Sequence, residues 1–173
     1  ISACLVGSEM CIRDRTYSVV TNLSQLTQAM NSATSSTRVA LGASITLSQT
    51  YTNSLFPINF AGKFDGLGQV IDRLRIRNSG GSNVKANLGL FSQLQGATVR
   101  NLGITNIDIL TNSTIAGTTG SEFRIGSLAG NIGNASLTTT GYSSSAYTTI
   151  IESVWSSGNI GTANDLSLIH ISE

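Results

Sequence analysis

Cysteine, histidine and proline are almost missing from this 173-residue chain, which has two cysteines, one histidine and one proline. Both cysteines, Cys4 and Cys11, lie near the first residue, and the histidine, His170, lies near the last. The sequence between them has no thiol and no imidazole. It can therefore build no disulfide, no Cys/His zinc site and no Ser-His-Asp or Cys-His catalytic group.

Charge is also scarce, because only 11% of the residues are charged. Eight basic against six acidic side chains leave residues 16–165 with a net charge of +2, which is too small to indicate a nucleic-acid partner. Ser, Thr, Asn and Gly fill the space between short aliphatic runs, a composition typical of an all-β chain with many turns.

The two ends of the chain are unlike the sequence between them. Codons for Glu9–Asp14 (EMCIRD) can be chosen so that their reverse complement, shifted by one base, encodes Leu166–Ser172 (LSLIHIS). The ends therefore resemble one inverted DNA adapter of the kind used in sequencing libraries, and we predict that residues 1–15 and 166–173 derive from it. Residues 16–165 are then an internal segment of a longer natural sequence.

Residues 16–55 are predicted to form an opening unit that leads into the rest of the fold. Leu23, Leu26, Ala29 and Met30 follow the spacing of one helix face, and Asn22 with Gln25 matches a capping box, so a helix should begin there. Short strands are predicted at 17–20, 38–41 and 44–47.

From residue 56 onward the sequence repeats itself. Residues 70–78 (VIDRLRIRN) align without gaps on 98–106 (TVRNLGITN) at an offset of 28, and a second alignment places Gly89 on Gly126. A third unit closes with 150–159, after an insertion at 138–149. A period of this length without long helices predicts a β-solenoid whose successive strands pair in parallel.

Stacking at the offset of 28 predicts which residues are in the core and which pair outside it. The inward positions are Leu74, Ile76, Leu90, Leu102, Ile104, Leu128 and Val154. Outside, Asp72 should lie over Arg100 as an opposite-charge pair, and Asn78 over Asn106 as an amide ladder.

The segments FDGLGQVIDRLRI, NLGLFSQLQGATVRNLGITNIDI, IGSLAGNIGNAS and IESVWSSGNIGT resemble the repeats of filamentous-haemagglutinin-type exoproteins, including the glycine-leucine repeat called the GLUG motif. The opening YSVVTNLSQLTQAM is similar to the segment that precedes the first such repeat in that family. The resemblance implies a right-handed parallel β-helix, with GLUG-type repeats over 56–165. It also implies export across the bacterial envelope and a secreted or cell-surface location.

The candidate binding site is a stripe of Arg73, Arg75 and Arg77, whose side chains should project from one strand face towards sulfated glycans or phosphates. The alternative is a solvated strand face that discourages edge pairing. Trp155, Tyr142 and Tyr147 could stack on sugar rings. The alternation around Trp155 instead favours a core position for it, and the tyrosines are expected to cover the inserted loop.

Asp65 and Asp72 are the residues that a carbohydrate-active enzyme on this scaffold would use as paired carboxylates. The predicted register gives Asp72 to Arg100 and places glycine at position 80, opposite Asp108, so no carboxylate cluster forms and Asp65 is expected to serve a turn. We predict no catalytic residue, no cofactor and no metal site.

The function predicted from the sequence is that of a non-catalytic repeat segment of a large secreted or surface-exposed bacterial adhesin-like exoprotein. It would act as a spacer and display rod whose partners are cell-surface glycans or other surface proteins, not nucleic acid, and it would not span a membrane. The alternative is a fragment of a β-helix polysaccharide lyase or glycoside hydrolase.

Overall fold

The computed structural model describes residues 16–78, 85–111, 122–133, 148–162 and 165–167. Most of the predicted adapter-derived ends lies outside the described residues, and so does the insertion except for its last two positions.

Fifteen strands and one helix make up the described part of the chain. The helix is α1 (Leu23–Asn31), which follows the first strand. The strands are β1 (Ser18–Val20), β2 (Arg38–Leu41), β3 (Ile45–Thr46), β4 (Thr50–Tyr51), β5 (Phe56–Phe60), β6 (Lys63–Asp65), β7 (Val70–Asp72), β8 (Arg75–Asn78), β9 (Lys85–Leu88), β10 (Phe91–Leu94), β11 (Thr98–Thr111), β12 (Glu122–Ile125), β13 (Ala129–Ile132), β14 (Ile150–Thr162) and β15 (Asp165–Ser167).

Helix α1 begins where its capping residues predict. The side chain of Asn22 accepts a hydrogen bond from the Gln25 backbone N–H at 3.0 Å, and the Gln25 side chain accepts one from the Thr21 backbone N–H at 2.9 Å. The first bond satisfies a donor that a helix N-terminus leaves open, and the second fixes the residue just before the cap. Leu26 and Met30 are buried, which confirms the predicted face.

The strands after α1 form four tiers that stack in parallel. The first tier is β2–β4, the second is β6–β8, the third is β11 and the fourth is β14. Each tier pairs with the next strand by strand, and β1 pairs in parallel with β2 on the far side of the first tier. The chain thus returns repeatedly to the same sheet in the same direction.

The strands that lie between the tiers in the sequence form two smaller parallel sheets. Strand β10 lies between β5 and β13, and β9 pairs with β12. The predicted alignment of Gly89 on Gly126 is confirmed here, because Leu88 pairs with Ile125 and the Gly126 N–H donates to the Leu88 carbonyl at 3.0 Å. A Cβ at Gly89 would lie 2.5 Å from the Gly126 carbonyl oxygen, so only glycine permits this approach.

The register between the second and third tiers differs from the predicted offset of 28. Asp65 pairs with Arg100, Ile71 with Ile104 and Ile76 with Ile109, so the offsets are 35 and 33. The predicted pairing of Asp72 with Arg100 is therefore wrong: Asp72 pairs with Thr105. Asn78 pairs with Thr111 and not with Asn106, and its side-chain amide donates to the Thr52 carbonyl at 2.9 Å.

The core is built from columns of aliphatic and aromatic side chains that run through the tiers. One column contains Val39, Phe64, Val99 and Ile151, of which the first three are buried and Ile151 is 41% exposed. Phe91 stacks on Phe60 with ring centroids 5.1 Å apart. The predicted inward residues are confirmed: six are buried, and Val154 is half-buried against the same core. The buried six are Leu74, Ile76, Leu90, Leu102, Ile104 and Leu128.

The chain is therefore mostly β, with parallel sheets and one helix among the described residues. One antiparallel pair, β14 with β15, lies at the outer edge of the fourth tier. In the part of the chain that the structure describes, no helix has the length and apolar character needed to cross a membrane.

Candidate functional site

Two corners of the tiers are turned by residues other than glycine in the left-handed backbone region. The first corner contains Leu67 (φ 49°), Asn101 (φ 53°) and Ser153 (φ 52°), in the second, third and fourth tiers. The second corner contains Arg73 (φ 64°) and Asn106 (φ 49°), which lie opposite one another. Positive φ is uncommon outside glycine and is best tolerated by Asn. The second and third tiers therefore bend at the same two places, and the fourth tier shares the first of them.

Asp65 ties the first corner together. Its carboxylate accepts hydrogen bonds from the Leu67 backbone N–H at 3.0 Å, from Arg100 Nε at 2.8 Å and from Asn101 Nδ2 at 3.1 Å. Burial acts to raise the pKa of this carboxyl, but the three hydrogen bonds and the Arg100 charge outweigh it and hold the pKa below its usual value. The predicted turn role of Asp65 is confirmed. The ion pair with Arg100, which was predicted for Asp72, is formed by Asp65.

Asp72 stabilises the second corner in the same way, by accepting hydrogen bonds from the neighbouring tier. It accepts hydrogen bonds from Asn106 Nδ2 at 2.7 Å and from Thr105 Oγ1 at 2.8 Å, and these bonds lower its pKa. Arg73 Nε lies 3.7 Å from the same carboxylate. Asp65 and Asp72 are therefore both ionised at neutral pH, and each is engaged at its own corner.

The pKa values of Asp65 and Asp72 can be compared with those that a pair of catalytic carboxylates requires. A glycosidase needs one carboxyl whose pKa is raised to act as general acid, whereas the pKa values of Asp65 and Asp72 are both lowered. The described residues contain no group of three His, Cys, Asp or Glu side chains that could hold a metal ion.

The predicted arginine stripe does not lie on a single strand. Arg75 and Arg77 precede and follow buried Ile76 in β8, and both project from the outer face of that strand. Arg73 comes before the strand and turns the second corner. The Arg77 guanidinium contacts the Asp108 carboxylate and donates to the Asp108 carbonyl at 2.7 Å. Asp108 itself pairs with Arg75 in the register, so the prediction of glycine 80 opposite Asp108 is wrong. Carboxylates thus compensate much of the charge of the stripe.

Trp155 lies outside the core, so the predicted core position is wrong. It pairs with Gly103 of the third tier, which in turn pairs with Val70 of the second, and 47% of its surface is exposed. Its indole lies over Gly103, where an added Cβ would come within 2.4 Å of the ring. The left-handed turn at Ser153 explains the error, because it resets the strand alternation just before Trp155.

A shallow groove of about 290 Å³ runs along the first corner. Leu67 and Gly68 of the second tier, Asn101 of the third, and Ser153 and Trp155 of the fourth line it. Leu67 is 54% exposed and forms the second apolar surface of the groove beside Trp155. Tyr142 and Tyr147, the other candidates for sugar stacking, lie outside the described residues. The sequence did not predict this groove, because its lining comes from three separate tiers.

Comparison of the chain with models of protein families, with curated proteins and with solved structures found no match.

Proposed function

We propose that the chain is a non-catalytic repeat segment of a large secreted or cell-surface bacterial adhesin-like exoprotein, in which it acts as a spacer and display rod. In this proposal the four tiers are successive coils of a right-handed parallel β-helix built from GLUG-type repeats. Cell-surface glycans or other surface proteins are the partners.

The observation that carries the proposal is the stacking of equivalent residues through the tiers. Ile45, Ile71 and Ile104 form one buried column, and the corners recur at matching positions. Each tier contacts mainly its neighbours, which is how solenoids build long structures from repeated units. Such a structure separates a distal surface from the cell, and its lateral faces are available for binding.

A β-helix carbohydrate-active enzyme remains the second candidate, because it would share the scaffold. The corner hydrogen bonds of Asp65 and Asp72 favour the display function, since these carboxylates stabilise turns and are engaged with neighbouring side chains.

The proposal is tested by measuring both glycan binding and polysaccharide turnover with the same purified chain. The chain is applied to an array of host and bacterial glycans, and released reducing ends are assayed on pectin, alginate and hyaluronan. We expect retention on the array and no released product. Product release that is lost in Asp72→Asn would establish the enzyme instead. Absence of both retention and turnover would contradict the glycan-binding part of the proposal.

A further inference from the structure

The indole of Trp155 is presented outward in a way that does not serve the core. Nearly half of the residue is exposed, and the ring lies against the side of the third tier over Gly103. The absence of a side chain at Gly103 makes this position available. The ring therefore covers the lateral face and not the open end of the stack.

The polar atoms of the groove are neutral. Asn101 and Ser153 supply an amide and a hydroxyl, and none of the lining residues is ionisable. The Asn101 amide nitrogen donates to Asp65, which leaves the amide oxygen as the hydrogen-bond acceptor of this side chain. The charged side chains of this corner, Asp65, Arg100 and Glu152, follow one another in the register outside the lining, and Arg100 forms an ion pair with Asp65.

An aromatic face with a few fixed neutral polar groups is the usual composition of a small-molecule site. The π-face of the indole is electron-rich and attracts the weakly positive C–H face of a sugar ring. Ring hydroxyls can then exchange hydrogen bonds with the amide and hydroxyl beside it. An anionic ligand would find no cation among the lining residues.

The groove also has an extended shape. Its lining comes from three successive tiers, and neighbouring strands lie about 4.8 Å apart. A chain that runs along the stack would contact Trp155 at one end and Leu67 at the other. From the ring, the neutral lining and this length, we propose that the first-corner groove binds a neutral oligosaccharide. The proposal names a ligand class for the glycan binding proposed above and rests on that function.

Trp155 is the only tryptophan of the chain, so its fluorescence reports on the groove directly. The full chain is titrated with maltohexaose, cellohexaose and chitohexaose, with heparin as an acidic comparison. We expect at least one neutral hexasaccharide to shift or quench the emission in a saturable way. We expect heparin to leave the emission unchanged.

Two variants separate ring position from folding. Gly103→Ala keeps the tryptophan but displaces the indole, and it should weaken binding at least tenfold. Trp155→Ser, followed by isothermal calorimetry, should lose the same binding, and it supplies the test if Gly103→Ala does not fold. Ile132→Ala removes an exposed apolar side chain elsewhere and should bind as the unmodified chain does.

Several outcomes would overturn the proposal. These are no response to any neutral hexasaccharide, a response to heparin alone, or undiminished affinity in both Gly103→Ala and Trp155→Ser. A peptide of residues 98–106 that shifts the emission when saccharides do not would identify the groove as a contact for another strand. Retention on the glycan array without any change at Trp155 would leave the display function standing and exclude only this groove.

Discussion

Arg100 lies one tier above Asp65 in the parallel register, with its Nε 2.8 Å from Asp65 Oδ2. On the other side Arg100 pairs with Glu152 of the fourth tier. The column therefore alternates in charge along the stack, and opposite charges on neighbouring strands stabilise this register over others. Because Asp65 also binds Leu67 and Asn101, the same carboxylate fixes both the register and the corner.

Replacement of Asp65 by Asn should lower the free energy of unfolding by about 1–3 kcal/mol at neutral pH, because the amide cannot accept all three hydrogen bonds. Urea unfolding measures the change. Asp108→Asn is the control, because the Asp108 side chain is 33% exposed against 7% for Asp65, and an ion pair at the surface contributes about 0–1 kcal/mol. Equal losses in the two variants would show that Asp65 does not organise the corner.

The effect of Asp65→Asn should also depend on pH. The pKa of Asp65 is lower in the folded chain than the value of about 3.9 expected when unfolded. Its contribution to stability is therefore complete above that unfolded value and is lost as the pH falls through the folded pKa. The difference between the unmodified chain and Asp65→Asn should shrink over this acidic range. A difference that stays constant would contradict the assigned pKa direction.

Truncation of a core side chain should lower the free energy of unfolding most where a neighbouring tier packs on both sides of it. Ile104→Ala should lower the free energy of unfolding by about 2–5 kcal/mol, because the residue is fully buried. Ile151→Ala makes the same chemical change in the fourth tier, where the residue is 41% exposed, and should cost about 1 kcal/mol. Thermal or urea unfolding compares them. A larger loss for Ile151→Ala would mean that the fourth tier is covered in solution.

The arginine stripe should bind heparin weakly and mainly through Arg75. Arg73 and Arg77 each form an ion pair with a carboxylate, and the Asp108 carboxylate opposite Arg75 is the one that Arg77 engages. Arg75→Ser should therefore reduce the salt concentration of elution from heparin more than Arg73→Ser or Arg77→Ser. The attraction should fade as the Debye length shortens from about 10 Å at 0.1 M salt to about 3 Å at 1 M. If the triple variant elutes with the unmodified chain, the stripe is a solvated face.

The ends predicted to be adapter-derived should be dispensable. A shortened chain of residues 16–165 should melt within about 4 °C of the full chain, which corresponds to roughly 1 kcal/mol for a protein of this size. Calorimetry of the two chains makes the comparison. A much lower melting temperature would indicate that the ends belong to the fold.

Local features were predictable from the sequence because they depend on neighbouring residues. Asn22 and Gln25 place the helix start, and the alternation around Leu74 and Ile76 identifies the buried face. The contact between Gly89 and Gly126 was also predictable, because both glycines occur in similar segments.

The tier register was not predictable, because two different corners have similar sequences. The alignment at an offset of 28 superimposes Arg73 on Asn101, and both residues have positive φ and are followed by a buried leucine. Arg73 turns the second corner, however, and Asn101 turns the first. The sequence repeat thus matched one kind of turn with the other. Trp155 was misplaced for a related reason, since a left-handed residue shifts the alternation that follows it.

Both the display function and the first-corner groove depend on how the parallel tiers stack. Engineered disulfides test the register of that stack most directly. With Cys4 and Cys11 replaced by Ser, Arg77→Cys is combined either with Leu110→Cys or with Thr105→Cys. Arg77 and Leu110 are paired in the structure, and neighbouring strands about 4.8 Å apart suit a disulfide. Arg77 and Thr105 are the pair that an offset of 28 requires. We predict rapid oxidation of the first pair and little of the second. Preferential oxidation of Arg77→Cys with Thr105→Cys, or of neither pair in a folded chain, would contradict this register of the parallel stack.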